Sequence, residues 1–148
     1  MIEDMRVIAA RPEYQITVEY EKNRLFYQNF GQMQQAVSLP DYLEDWTRAL
    51  SEVRPGFSIL SDMQVVNQCN QALLTIFQAV EQMIVARGVS MVAEVHVPGL
   101  STRRGCDGVT TAQAMPVRHF LTVWEAVQFL DDVGVEPALV PVHAAVLR

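Results

Sequence analysis

Apolar and polar residues alternate with period two over Tyr14, Ile16, Val18 and Tyr20, with Gln15, Thr17 and Glu19 between them. Period two predicts a strand with one face buried. A polar turn, Glu21-Lys22-Asn23, leads into a second strand from Arg24 to Phe30, which stops at Gly31. The pair reads as an antiparallel hairpin with Asn23 in the left-handed conformation. Beyond it the apolar spacing lengthens to threes and fours: Leu39, Leu43, Trp46, Leu50 and Val53. This stripe predicts a helix with one face on the core. Ser38 and Asp41 have the spacing of an N-terminal cap with an acid in the first turn, and Pro40 suits that turn. Glu44, Asp45, Arg48 and Glu52 fall off the stripe and are expected to face water. Pro55-Gly56 ends the helix.

A third strand is predicted over Phe57 to Ser61, apolar enough for a central position, with Asp62 at its end. A polar loop from Gln64 to Asn70 feeds a second helix, Asn70 to Arg87. Its buried stripe is Leu73, Ile76, Phe77, Val80, Met83 and Ile84, and Gly88 is its stop. Val89 to Val97 alternates again and predicts a fourth strand. Pro98-Gly99 breaks it. Leu100 to Met115 reads as a loop with a short helix over Val109 to Met115. Val117 to Leu121 is a fifth strand. Thr122 and Glu125 form a capping box for a last helix, in which Val123, Ala126, Val127 and Leu130 face the core and Asp131-Asp132 and Gly134 mark the end. The order β-β-α-β-α-β-α-β-α predicts a single α/β domain, a mixed five-stranded sheet with about four helices. Residues 13–132 form that domain, residues 1–12 an N-terminal extension, and residues 133–148 an apolar segment packed on the domain or on a partner chain.

Composition narrows the function classes. The formal net charge is −6, and acids outnumber bases both before Asp62 and after Thr122. No segment has the basic footprint that nucleic acid or an anionic membrane requires. Ten of the eleven basic residues are arginine, Lys22 being the exception, which suits a GC-rich bacterial genome. The opening Met1-Ile2-Glu3-Asp4 lacks the apolar core of a secretory signal, and no apolar run reaches the length of a membrane span. Cys69 and Cys106 read as reduced thiols, and a bacterial cytoplasm is the expected compartment.

Polar groups at the carboxyl ends of parallel strands are where α/β sheets usually hold ligands and partners. Asp62 sits at such an end, to face a ligand or to cap its own loop. Cys69, near a helix start, reads as a reactive thiol or as a small buried residue. Arg103-Arg104-Gly105-Cys106-Asp107-Gly108 could hold an anion through two guanidinium forks or simply expose two solvated charges. There is no Walker sequence and no G-x-G-x-x-G, so no cofactor is expected. His96, His119 and His143 lack metal-ligand spacing, and no metal site is expected. Glu94 and His96 share a strand face, with both His96 and His119 expected to meet solvent or a partner. No local Ser-His-Asp or Cys-His pattern points to catalysis, so no catalytic residue is assigned and the chain is read as a non-enzyme. Trp46 belongs to a core stripe, whereas Trp124 falls on an outer edge, to mark an interface or to be partly buried in the core.

The hairpin around Tyr14 to Gly31, the run Arg54-Pro55-Gly56-Phe57-Ser58-Ile59-Leu60-Ser61-Asp62, and the closing Phe120-Leu121-Thr122-Val123-Trp124-Glu125-Ala126-Val127-Gln128-Phe129-Leu130 carry a family resemblance. Over roughly Glu13 to Asp132 the chain resembles the STAS-like domains related to bacterial anti-sigma factor antagonists. The resemblance implies a regulatory module that binds another protein without turnover, its surface lying at the start of the second helix. Here that surface would comprise Asp62, Asn67, Gln68, Cys69 and Asn70. In the antagonists a serine or threonine at this point is phosphorylated. This chain reads Asn67-Gln68-Cys69-Asn70-Gln71, with no hydroxyl residue before Thr75, so a phosphorylation switch is not expected. The alternative is a domain that binds a nucleotide or other anion, with Arg103 and Arg104 as ligand-binding residues. The apolar C-terminal segment allows a homodimer.

Overall fold

The computed structural model describes residues 5–30, 41–63, 71–96 and 115–139, with the backbone alone for 71–72 and 134–139. Six strands form one mixed sheet in sequence order: β1 (Met5–Ala10), β2 (Tyr14–Glu19), β3 (Arg24–Asn29), β4 (Ser58–Asp62), β5 (Met91–Val95) and β6 (Val117–Phe120). The first three are antiparallel, and β3 to β6 run parallel. Three helices are described: α1 (Tyr42–Ser51), α2 (Gln71–Arg87) and α3 (Val123–Leu139). The α/β class therefore holds, with six strands in place of five. The short helix expected over Val109 to Met115 falls almost wholly outside the described residues.

The added strand is β1, in the stretch expected to be an extension. It was hard to read because its period is broken: the pairing with β2 shifts register between Val7 and Ala9. That bulge lets Ile8 and Ala9, neighbours in sequence, both be buried, while Met5 and Val7 remain exposed. The hairpin of β2 and β3 is as expected. A short 3-10 turn over Tyr20–Lys22 joins the strands, and Asn23 has φ 53° and ψ 52°. Its side chain links this turn to the start of β4's lead-in, accepting from the Arg54 backbone N–H at 2.9 Å and donating to the Arg54 carbonyl at 3.1 Å.

Helices α1 and α2 cover one face of the sheet and α3 the other. The larger core gathers Ile16, Val18, Leu25, Trp46, Leu50, Val53, Phe57, Ile59, Leu73, Val80, Ile84 and Val92, with Tyr14, Tyr27 and Tyr42 among them. The smaller core packs Leu60, Ala93 and Val95 against Ala126 and Leu130 of α3. Helix α2 ends at Gly88, whose φ of 97° is open to glycine and strained for other residues. A Cβ at Gly88 would also lie 3.2 Å from the Cβ of Pro55, so the two chain reversals pack closely there.

Three expectations need correction. On α1, Leu43 is exposed and Asp45 is buried, the reverse of the stripe reading. The helix is rotated because Asp45 has partners inside: Arg11, Tyr14 and Arg48. Helix α3 does not stop at Asp131-Asp132 or Gly134 but continues to Leu139. One glycine lowers helix propensity by only about 1 kcal/mol, too little to end a helix already anchored by Ala126 and Leu130. Asp131 is also held, accepting from Lys22 at 3.0 Å and Arg24 at 2.9 Å, which ties α3 to the hairpin. The Thr122 half of the capping box at the other end is present, with the Glu125 N–H donating to Thr122 Oγ1 at 3.1 Å.

Candidate functional site

Side-chain alternation and parallel register build a polar row across the α2 face of the sheet. Pairing aligns Tyr27 with Ser61, Ser61 with Glu94, and Glu94 with His119, across β3 to β6. His96 lies two residues beyond Glu94 and so returns to the same face. Its backbone is fixed there, since the His96 N–H, one step past the end of β5, donates to the carbonyl of Phe120, the last residue of β6, at 3.0 Å.

The three side chains converge. His96 Nε2 lies 2.9 Å from Glu94 Oε1, and His119 Nδ1 lies 3.7 Å from the same oxygen. The two imidazole rings are tilted against one another with centroids 5.0 Å apart. Glu94 is 9 % exposed. The side chain of His96 is 12 % exposed and that of His119 46 %, so the cluster is covered on the β5 side and open to solvent on the β6 side. His119 meets solvent as expected, whereas His96 is largely covered.

Helix α2 adds a second carboxylate. Glu81 is 4 % exposed, and neither of its oxygens has a hydrogen-bond partner. Burial, and secondly the charge of Glu94, pushes its pKa up to about 7. A lone buried carboxylate is costly, and holding it protonated reduces that cost. Glu81 escaped the sequence reading although a signal was there. It is four residues after Phe77 and three before Ile84, within the apolar stripe, and it is the sole acid in α2.

The sequence-predicted site residues fare differently. Asp62 ends β4 and is half-buried. Alternation places it with Leu60 on the α3 face, away from Glu94 and His96. Asn67, Gln68, Cys69, Asn70, Arg103 and Arg104 lie outside the described residues. His96 and His119, which lack metal-ligand spacing along the chain, are brought together by the register of β5 and β6. Trp124 is 69 % exposed beside exposed Leu121, on the outer edge as expected.

Comparison with family models, curated proteins and solved structures finds no match. Among the described residues, no helix is long and apolar enough to cross a membrane.

Proposed function

We propose that this chain is a STAS-like regulatory module that binds a protein partner through the loop joining β4 to α2, without turnover and without a phosphorylation switch. The observation that carries the reading is the strictly sequential strand order. In doubly wound sheets a nucleotide sits in the crevice where the strand order reverses and successive helices go to opposite faces. Here β3 to β6 are laid down in order, and α1 and α2, the crossovers on either side of β4, lie on one face. Right-handed crossovers that always advance in one direction give this arrangement, and it has no switch-point crevice at β4. The sequence that follows β4 carries Asn67, Gln68 and Asn70, whose neutral amides would form interface hydrogen bonds at a lower desolvation cost than charges.

The test is affinity capture from a native-cell lysate with immobilised full-length protein, comparing wild type with a Gln68→Arg, Asn70→Arg double variant whose thermal unfolding is unchanged. The expected result is a protein retained by wild type and lost by the variant. Equal retention by both would move the interface elsewhere. If neither retains a protein and a nucleotide raises the melting temperature, with the gain lost in an Arg103→Ala, Arg104→Ala variant, the anion-binding alternative replaces this reading.

A further inference from the structure

We propose that Glu94, His96 and His119 form a binding site for a divalent first-row transition-metal ion of the zinc class, at the carboxyl edge of β5 and β6 and independent of the partner-binding loop. The donor set is two imidazole nitrogens and one carboxylate oxygen, which suits borderline metals such as Zn²⁺, Co²⁺ and Ni²⁺ better than Mg²⁺ or Ca²⁺. The three donor atoms all lie within 4.8 Å of one another. Ligands about 2.0–2.1 Å from a tetrahedral ion stand a little over 3 Å apart, so small side-chain rotations close the site. No backbone shift is needed, because adjacent strands in register already oppose Glu94 and His119.

A simple His–Glu hydrogen bond accounts for the 2.9 Å contact between His96 and Glu94. It does not account for the other two features. His119 Nδ1 turns toward the same oxygen although nearly half of its side chain is in solvent and is free to turn elsewhere. Glu81, on α2 over the same face of the sheet, is a second buried carboxylate with neither oxygen partnered. No lysine or arginine among the described residues is paired with either glutamate. The Glu94 carboxylate would offset part of the charge of a divalent cation bound there. The ion would be held by β5 and β6, on the face of the sheet that α2 covers. Through the exposed flank of His119 it would remain open to a further donor from solvent, as in zinc sites that keep one open position.

The test uses the untagged full-length protein, stripped with a chelator and titrated with Co²⁺ and Zn²⁺. One equivalent of Co²⁺ per chain should bind, with visible absorption bands that Zn²⁺ then displaces. His119→Ala, at a half-exposed position that should not disturb folding, is expected to weaken Zn²⁺ binding by about 100-fold, and His96→Ala by a similar factor. The proposal is overturned if no stoichiometric binding occurs, or if binding survives both histidine substitutions unchanged, which would place the metal on other residues. Retention of the partner in the capture experiment by His119→Ala would leave the two proposals independent; its loss there would mean that the metal edge and the partner surface are one.

Discussion

Asp45 on α1 and Glu81 on α2 are both carboxylates buried against the same face of the sheet, and they are treated in opposite ways. Asp45 is 1 % exposed and receives four hydrogen bonds. Arg11 contributes two at 2.9 Å, Tyr14 one at 2.6 Å and Arg48 one at 3.1 Å. Arg48 also donates to the Ile8 carbonyl at 2.8 Å, so the cluster fastens β1 and β2 to α1. Burial alone would raise the pKa of Asp45, but the hydrogen bonds from Arg11 and Tyr14 outweigh it and hold the group below its ordinary range. Glu81 has the burial without the partners. Asp45 is a buried carboxylate whose partners fasten elements together, whereas Glu81 is a buried carboxylate left without partners.

Five substitutions, two of them followed against pH, can break or sharpen this contrast. Asp45→Ala is expected to have the largest effect, a loss of about 3 kcal/mol, because it strands the two arginines and the Tyr14 hydroxyl. Urea unfolding measures it, and a loss under about 1 kcal/mol would reduce the cluster to surface ion pairs. Glu81→Leu should act in the opposite direction, with a gain of about 2 kcal/mol at pH 8 in the presence of a chelator. A loss of stability there would mean that Glu81 has partners after all.

The pH dependences should also run in opposite directions. The pKa of Glu81 is raised to about 7 from an ordinary 4.5, so its ionisation opposes folding. The penalty is absent below pH 4.5, grows as pH rises to about 7 and is constant above, and the gain from Glu81→Leu should follow that curve. Asp45 is lowered, so its stabilisation is present above the ordinary carboxylate pKa and is lost as pH falls through the folded value. Asp45→Asn should therefore flatten the acid limb of the stability profile and leave the neutral limb alone. Two smaller changes calibrate the scale from α3. Thr122→Ala removes the cap and should cost about 1 kcal/mol. Trp124→Ala, at an exposed position, should change stability by no more than about 0.5 kcal/mol in thermal unfolding.

The contrast also explains which parts were readable in advance. The turn at Asn23, the cap at Thr122 and the stop at Gly88 involve residues within about four positions of one another, and each hairpin strand shows its alternation along its own short run, so these signals lie side by side. The stripe on α2 was legible for the same reason, and Leu73, Val80 and Ile84 are buried as expected. Asp45 was misread because polarity was taken for exposure; its partners Arg11 and Tyr14 are more than thirty residues away. The edge strand β1 was missed because its bulge breaks the period that identifies strands.

The chain's own pattern was sufficient to determine an α/β domain with an opening hairpin, the helix and strand order after it, and the pairing of Glu94 with His96 on one strand face. Only the tertiary structure decided that His119 stands opposite Glu94, that Glu81 turns inward above them, and that Asp62 lies on the far face. Periodicity reports which side of an element is apolar, because neighbouring residues share that element's geometry. The register between strands twenty or more residues apart depends on how the whole sheet closes over its two cores, and a shift of one residue would have turned His119 to the other side.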